Sequence, residues 1–442
     1  MHATEVLARF GAAFHARSVA PEVIHAAKRA VVDWYASVFP GYATPPVQLL
    51  MATLADDLDR GKCRLATSQA ATPRTAALIN GAAAHAAEVD DSFRGAMYHP
   101  GAATIAAALA AGQEVGADGA EFLRAVVVGY EISTRIGVVL GRSHYRYWHN
   151  TGTVGVFGAA AAAAYLYRLD ATAFAHALAT AATFSAGLQQ AFRMDSMSKP
   201  LHPGRAAEGG LLAAALAARG ATGSLDVLDG ENGLGRAMSD GPNWSRIGAT
   251  LGTVFHIEGL TFKNHIGCGH VFPSIDGVLA LREQYGLRPD DIESVSVGTY
   301  QAALDIACYG VPASANEARF SMPFMLATAL VHGSVRMRAY EAAGLADPGV
   351  HALMPRIATA VDAELDARFP AQRAARIEIV CRDGLRLAHF QPNRKGDPED
   401  PLDDADLGDK LLELATPVIG GARAAALLAR LWQADSAGAL DW

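Results

Sequence analysis

Four short segments gather the side chains that can move protons or hold anions. The first runs Glu88-Val89-Asp90-Asp91-Ser92 and continues through Arg94 to Tyr98-His99-Pro100-Gly101. The second, Arg142-Ser143-His144-Tyr145-Arg146-Tyr147-Trp148-His149, leads into Asn150-Thr151-Gly152-Thr153 and contains no acid. Arg193 precedes the third, Ser196-Met197-Ser198-Lys199-Pro200-Leu201-His202-Pro203-Gly204-Arg205. The fourth is Lys263-Asn264-His265-Ile266-Gly267-Cys268-Gly269-His270.

Each segment has a plain reading and a chemical one. The acids before Pro100-Gly101 form either a solvated helix terminus capped by His99 or a carboxylate and an imidazole at a helix end, where the N-terminal dipole favours an anionic ligand. A solvated loop accounts for Arg142 and Arg146, but less well for a histidine beside Trp148 at the mouth of an Ala-rich helix. His149, and secondarily His144, are therefore candidates for anion binding or catalysis, with Arg146 a further cation for an acidic ligand. Two prolines and a glycine fix the backbone around Lys199, a costly place for a lysine that pairs with nothing. Histidines five apart, at 144/149 and 265/270, do not share a helix face, so no metal centre is expected. Such an inventory suits a small polycarboxylate: cations neutralise it, and a neutral His or Lys of depressed pKa removes a proton beside a carboxylate. No cofactor is required.

The elements that must position these residues follow from periodicity. Apolar residues recur at helical spacing over Val23–Val38, Ala103–Ala111, Leu123–Ile136, Val156–Tyr167 and Leu211–Ala218. No segment before Lys263 alternates as a strand does, so the first half reads as all-α. After Lys263 the text changes. Ile292–Tyr300 alternates with β-branched residues, and Ile377–Cys381 and Leu385–Phe390 flank an Asp-Gly pair suited to a hairpin. Helices are expected at Ser274–Tyr285, Phe324–Val331 and Ala358–Ala367. Asn393–Pro401 reads as a linker, and Asp403–Gln433 returns to helical spacing. The expected fold is mainly α: a large helical domain from residues 1–262 and 398–442, with a smaller α+β domain, 263–397, inserted between them.

Composition removes other classes. The 442 residues are 51% hydrophobic and 19% charged, unlike a disordered chain. A net charge of −8 argues against nucleic acid as a partner. The longest apolar run, Val154–Leu166, is mostly Ala and Gly and too short for a membrane span. No signal peptide is visible at Met1-His2-Ala3-Thr4-Glu5, so the expected compartment is the cytoplasm. Cys63, Cys268, Cys308 and Cys381 are far apart and read as reduced thiols. Gly230-Glu231-Asn232-Gly233-Leu234-Gly235 follows no strand and reads as a turn.

At the four segments the sequence resembles the MmgE/PrpD family, which contains 2-methylcitrate dehydratases, cis-aconitate decarboxylases and an iminodisuccinate epimerase. The resemblance runs in order through Glu88–Gly101, Gly129-Tyr130-Glu131, His149–Gly158, Ser198–Gly210, Lys263–Asp276 and Glu317–Ser321. It implies a helical domain, an α+β lid with the active site in the cleft, a homodimer, and pocket positions at Asp91, Ser92, His99, His149, Lys199, Lys263 and Cys268. Several positions depart from the family. Glu88 stands for the first acid of its D-x-D-D motif, Ser92 for a Thr, Phe324 for a pocket Tyr and Phe272 for a lid His. Cys268 replaces the His of the decarboxylases. The stretch Lys263–His270 looks more like the epimerase branch. The expected chemistry is proton abstraction α to a carboxylate of a small di- or tricarboxylate, with epimerisation of a substituted succinate as its outcome. His149 and Lys199 would be the acid/base pair and Tyr145 a substitute donor. The alternatives are a hydro-lyase or decarboxylase and a non-catalytic member of the family.

Overall fold

The computed structural model describes residues 1–194, 196–369 and 371–440. Two compact units divide the chain: Met1–Phe262 together with Asp403–Trp442, and Lys263–Leu402.

The first unit is built on helices whose small residues let backbones approach closely. Every residue of the helix Gly155–Leu166 is buried. It packs against the helices Leu201–Ala217, Pro100–Val115 and Gly119–Tyr145. A Cβ on Gly210 would lie 2.6 Å from the carbonyl oxygen of Val156, and one on Gly129 would lie 2.7 Å from that of Gly158. Neither glycine tolerates a side chain without parting the helices. Gly119–Tyr145 is kinked where Gly141 adopts φ +66°, a conformation that costs glycine little. The C-terminal helix Asp404–Ile419 packs on Pro21–Tyr42 and places Lys410 beside Asp33, a buried ion pair of 2.6 Å. Lys410 also donates to the carbonyl of Val89 at 2.7 Å, tethering the acidic segment to this helix. Among the described residues no helix is long and apolar enough to cross a membrane.

One expectation for this unit fails. Residues Leu58–Arg64 form a strand, β1, antiparallel to the two-residue β2, Ala70–Ala71. Only Cys63 of β1 is buried, and Asp59 and Gly61 have positive φ. A mostly exposed, bulged ribbon leaves no alternating apolar signal to read.

The second unit is a four-stranded sheet in the order β4-β3-β5-β6, with β3 Ile292–Thr299, β4 Ile357–Val361, β5 Ala375–Cys381 and β6 Arg386–Gln391. β5 and β6 form the hairpin expected at Asp383-Gly384. The helix Phe272–Tyr285 covers them, and Gly277 leaves room for Ile377, whose Cδ1 would lie 2.2 Å from a Cβ there. The helix expected over Ala358–Ala367 is instead β4 followed by the short helix Ala363–Arg368. The alanines of Ile357-Ala358-Thr359-Ala360-Val361 favour helix locally, but parallel pairing with β3 overrides that preference.

Candidate active site

The acidic segment is a strained connection between two helices. Pro73–Ala86 ends at Ala87, and Glu88 follows with φ +60°, the left-handed position usually given to glycine after a helix. Met97 has φ +48°, and His99 then precedes the helix Pro100–Val115. Holding a non-glycine residue in this region costs on the order of 1 kcal/mol or more, which the surrounding contacts must offset. Gly101 is the reason Asp91 fits. Its amide donates to Asp91 Oδ1 at 3.1 Å, and a Cβ there would lie 3.0 Å from the same oxygen. The Tyr130 hydroxyl donates to Asp91 Oδ2 at 2.8 Å. Burial, reinforced by the charges of Asp33 and Asp90, still outweighs these donors and lifts the Asp91 carboxyl to about 8.

Around this connection stand four histidines. His85, fully buried, places Nδ1 2.7 Å from Asp90 Oδ2, while its Nε2 has no hydrogen-bond partner among the described residues. The His85 ring lies 4.9 Å from that of His99 and 5.3 Å from that of His149. His99 Nδ1 is 2.6 Å from the carbonyl oxygen of Asp91 and 3.4 Å from Asp90 Oδ2. His149 and His202 bring their Nδ1 atoms to 3.0 Å. The His149 amide donates to the carbonyl of Gly187 at 2.9 Å, which fixes the ring at the start of Asn150–Thr153. Burial holds His149 well below the ordinary histidine value, and the charges of His85, Lys199, His202 and His99 act in the same direction. His202 is lowered to about 4, again chiefly by burial. Both rings are neutral at pH 7.

Lys199 joins the same group. Its ammonium is ion-paired with Glu88 and lies 4.8 Å from the centre of the Phe192 ring. His149 meets the same ring edge to face at 4.9 Å. Segments far apart in the chain thus bring His85, Glu88, Asp90, Asp91, His99, His149, Lys199 and His202 together. Sequence reasoning missed His85, whose signal was its place five residues before Asp90, and left His202 unselected although it lies three residues beyond Lys199.

Other candidates have different settings. His144 is buried between the carbonyl of Met238 at 3.0 Å and the Thr153 hydroxyl at 2.7 Å, a satisfied core histidine. Arg146 is exposed, with its guanidinium 5.1 Å from the centre of the Tyr147 ring. No hydrogen bond or ring contact among the described residues ties Arg146 or the partly exposed Tyr145 to the histidines. Ser92 exchanges backbone hydrogen bonds with Thr261, each 2.8 Å. Lys263 and Cys268 are buried in the second unit, where the Cys268 amide donates to the carbonyl of Arg319 at 2.9 Å. Phe272 and Phe324 are core residues there, packed against His265 at 5.4 Å and Tyr340 at 6.2 Å.

The expectation that no histidines converge as metal ligands meets one exception. His85, Asp90 and His99 offer donor atoms within 4.8 Å of one another. The 2.7 Å separation of His85 Nδ1 from Asp90 Oδ2 is accounted for by a single shared proton, so the trio reads as a hydrogen-bonded network.

The helical unit sets a buried, neutral histidine beside a lysine, both against one phenyl ring. Two family domains cover most of the chain: the MmgE/PrpD N-terminal domain matches residues 5–247 and the MmgE/PrpD C-terminal domain residues 265–434. The chain belongs to the MmgE/PrpD family and is an enzyme. It is 26% identical over 432 residues to a cis-aconitate decarboxylase-like protein of Aspergillus oryzae, covering 91% of this chain and 88% of the relative. It is 25% identical to the cis-aconitate decarboxylase of Homo sapiens, over 78% of this chain and 73% of the relative. The corresponding enzyme of Aspergillus terreus is 24% identical, over 83% and 80%.

Proposed function

We propose that this enzyme is a cofactor-independent lyase that decarboxylates a small unsaturated tricarboxylate of the cis-aconitate kind. The names of the relatives favour this outcome over the epimerisation that the stretch Lys263–His270 suggested. The observation that carries the reading is the neutral, buried His149 sharing the Phe192 ring with the Lys199 ammonium.

In such a reaction the bond from carbon to one carboxylate breaks and carbon dioxide leaves. The electron pair released becomes a new double bond, the existing double bond gives its pair to its far carbon, and that carbon takes a proton. His149 supplies this proton. It rests neutral because burial and, with it, the nearby Lys199 ammonium disfavour its charged form, and a bound trianion reverses that balance. The imidazolium so formed is the acid that protonates this carbon. Lys199 neutralises a substrate carboxylate, exchanging Glu88 for it. Asp91, Ser92 and His99 complete the proposed binding set within the helical unit. No step is assigned to Tyr145 or Arg146.

Epimerisation of a substituted succinate is the second reading, favoured by the presence of two candidate acid/base groups, His149 and Lys199, around one ring. Incubation with cis-aconitate and with N-substituted aspartates in deuterated water separates the two. The lyase reading predicts loss of carbon dioxide with one deuterium fixed in the product. Exchange at Cα without loss of mass would favour the epimerase, and neither result would reject both. The same reading carries a homodimer in the cytoplasm, the dimer being tested by sedimentation.

A further inference from the structure

We propose that His202 is a positioning residue that fixes the tautomer of His149: it accepts the Nδ1 proton of His149 and leaves Nε2 as the atom that exchanges a proton with substrate. This inference rests on the proposed role of His149 and deepens it.

Two imidazole nitrogens 3.0 Å apart share one proton, so the tautomers of the two rings are linked. Two arrangements are possible, and exposure separates them. His149 is 2% exposed, whereas His202 is only partly buried, at the first turn of the helix Leu201–Ala217. A proton on His202 Nε2 is therefore the one water can solvate, and it makes His202 Nδ1 the acceptor. The backbone holds this pairing in place. Gly187 accepts the amide hydrogen of His149, and its φ of +133° and missing side chain admit the His202 ring, whose Nδ1 would lie 3.1 Å from a Cβ there.

The partner is a neutral ring, not a carboxylate. Histidines that rest on carboxylates gain a stabilised imidazolium, as His85 would from Asp90. His149 is spared that stabilisation, so its conjugate acid gives its proton up readily. The charged or titratable groups facing the pair are His85, His99 and Lys199.

The test uses the full chain labelled with 15N-histidine. At pH 7.5 the inference predicts a protonated Nδ1 and an unprotonated Nε2 for His149, and a proton on Nε2 of His149 would overturn it. This readout needs no substrate, so it stands even if the chain does not turn over cis-aconitate, a failure that would count against the proposed function alone. Kinetics supply the second arm. His202→Asn keeps an acceptor near the Nδ1 position and should retain most of kcat, while His202→Phe should lower kcat about tenfold or more with KM little changed. Equal kcat for the two variants would overturn the inference. His202→Asp places a carboxylate against His149 and should move the histidine limb of the pH profile upward. An unmoved limb would leave His202 with a structural role only.

Discussion

Lys199 and Glu88, 111 positions apart, are ion-paired, and the glutamate that makes the pair holds a left-handed backbone at φ +60°. The pair explains how a lysine fixed between Ser198 and Pro200 is accommodated before any substrate arrives. It also explains why the first acid of this segment tolerates an extra methylene: the longer side chain still reaches the ammonium. In the proposed reaction a substrate carboxylate would compete with one internal carboxylate for a cation already in place.

Replacing Lys199 with Met should therefore weaken binding of a tricarboxylate inhibitor by about 10- to 100-fold, the range expected on losing a charge-assisted hydrogen bond. Calorimetric titration measures this. Equal affinity would remove Lys199 from the binding set.

Binding should also take up a proton. His149 rests neutral, and three carboxylates arriving beside it raise its affinity for hydrogen ions. Titrations at pH 7 in buffers of different ionisation enthalpy should show an uptake approaching one proton, absent in His149→Gln. No uptake by the native enzyme would contradict the role given to this ring.

Asp91 predicts a pH dependence of stability. Its folded value of about 8 stands above the ordinary 3.8, so its favourable contribution is complete below about 4 and is lost as pH rises toward 8. Asp91→Asn should remove this slope. Denaturation at pH 4.5 and pH 8 measures it: the stability of the native chain relative to Asp91→Asn should fall by several kcal/mol between the two. A constant difference would show that burial does not hold the proton on Asp91.

His85, Asp90 and His99 supply a fourth prediction. If one proton joins His85 to Asp90, dialysis against a strong chelator should leave turnover unchanged. Activity lost on dialysis and restored by zinc would identify the trio as a metal centre instead.

Much of the fold was legible because helical spacing and β-branched alternation are local signals. The helix Pro21–Tyr42 and the hairpin of β5 and β6 carry their own patterns. β4 did not, because five residues rich in alanine become a strand only when β3 lies beside them. The site divides along the same line. His149 and Lys199 stood out through unusual neighbours in sequence. His85 lies inside the Ala-rich helix Pro73–Ala86 and looks like any buried histidine until folding sets it 5.3 Å from His149. Arg146 shows the opposite case: close in sequence to a candidate histidine, it is exposed in the fold with its guanidinium over the Tyr147 ring.

Proton delivery by His149 is tested most directly by turnover of cis-aconitate in deuterated water, comparing the native enzyme with His149→Gln. Mass spectrometry should show decarboxylated product carrying one carbon-bound deuterium from the native enzyme, and at least a thousandfold less product from the variant, roughly the scale of losing a general acid. Undiminished formation of deuterated product by His149→Gln would contradict the account.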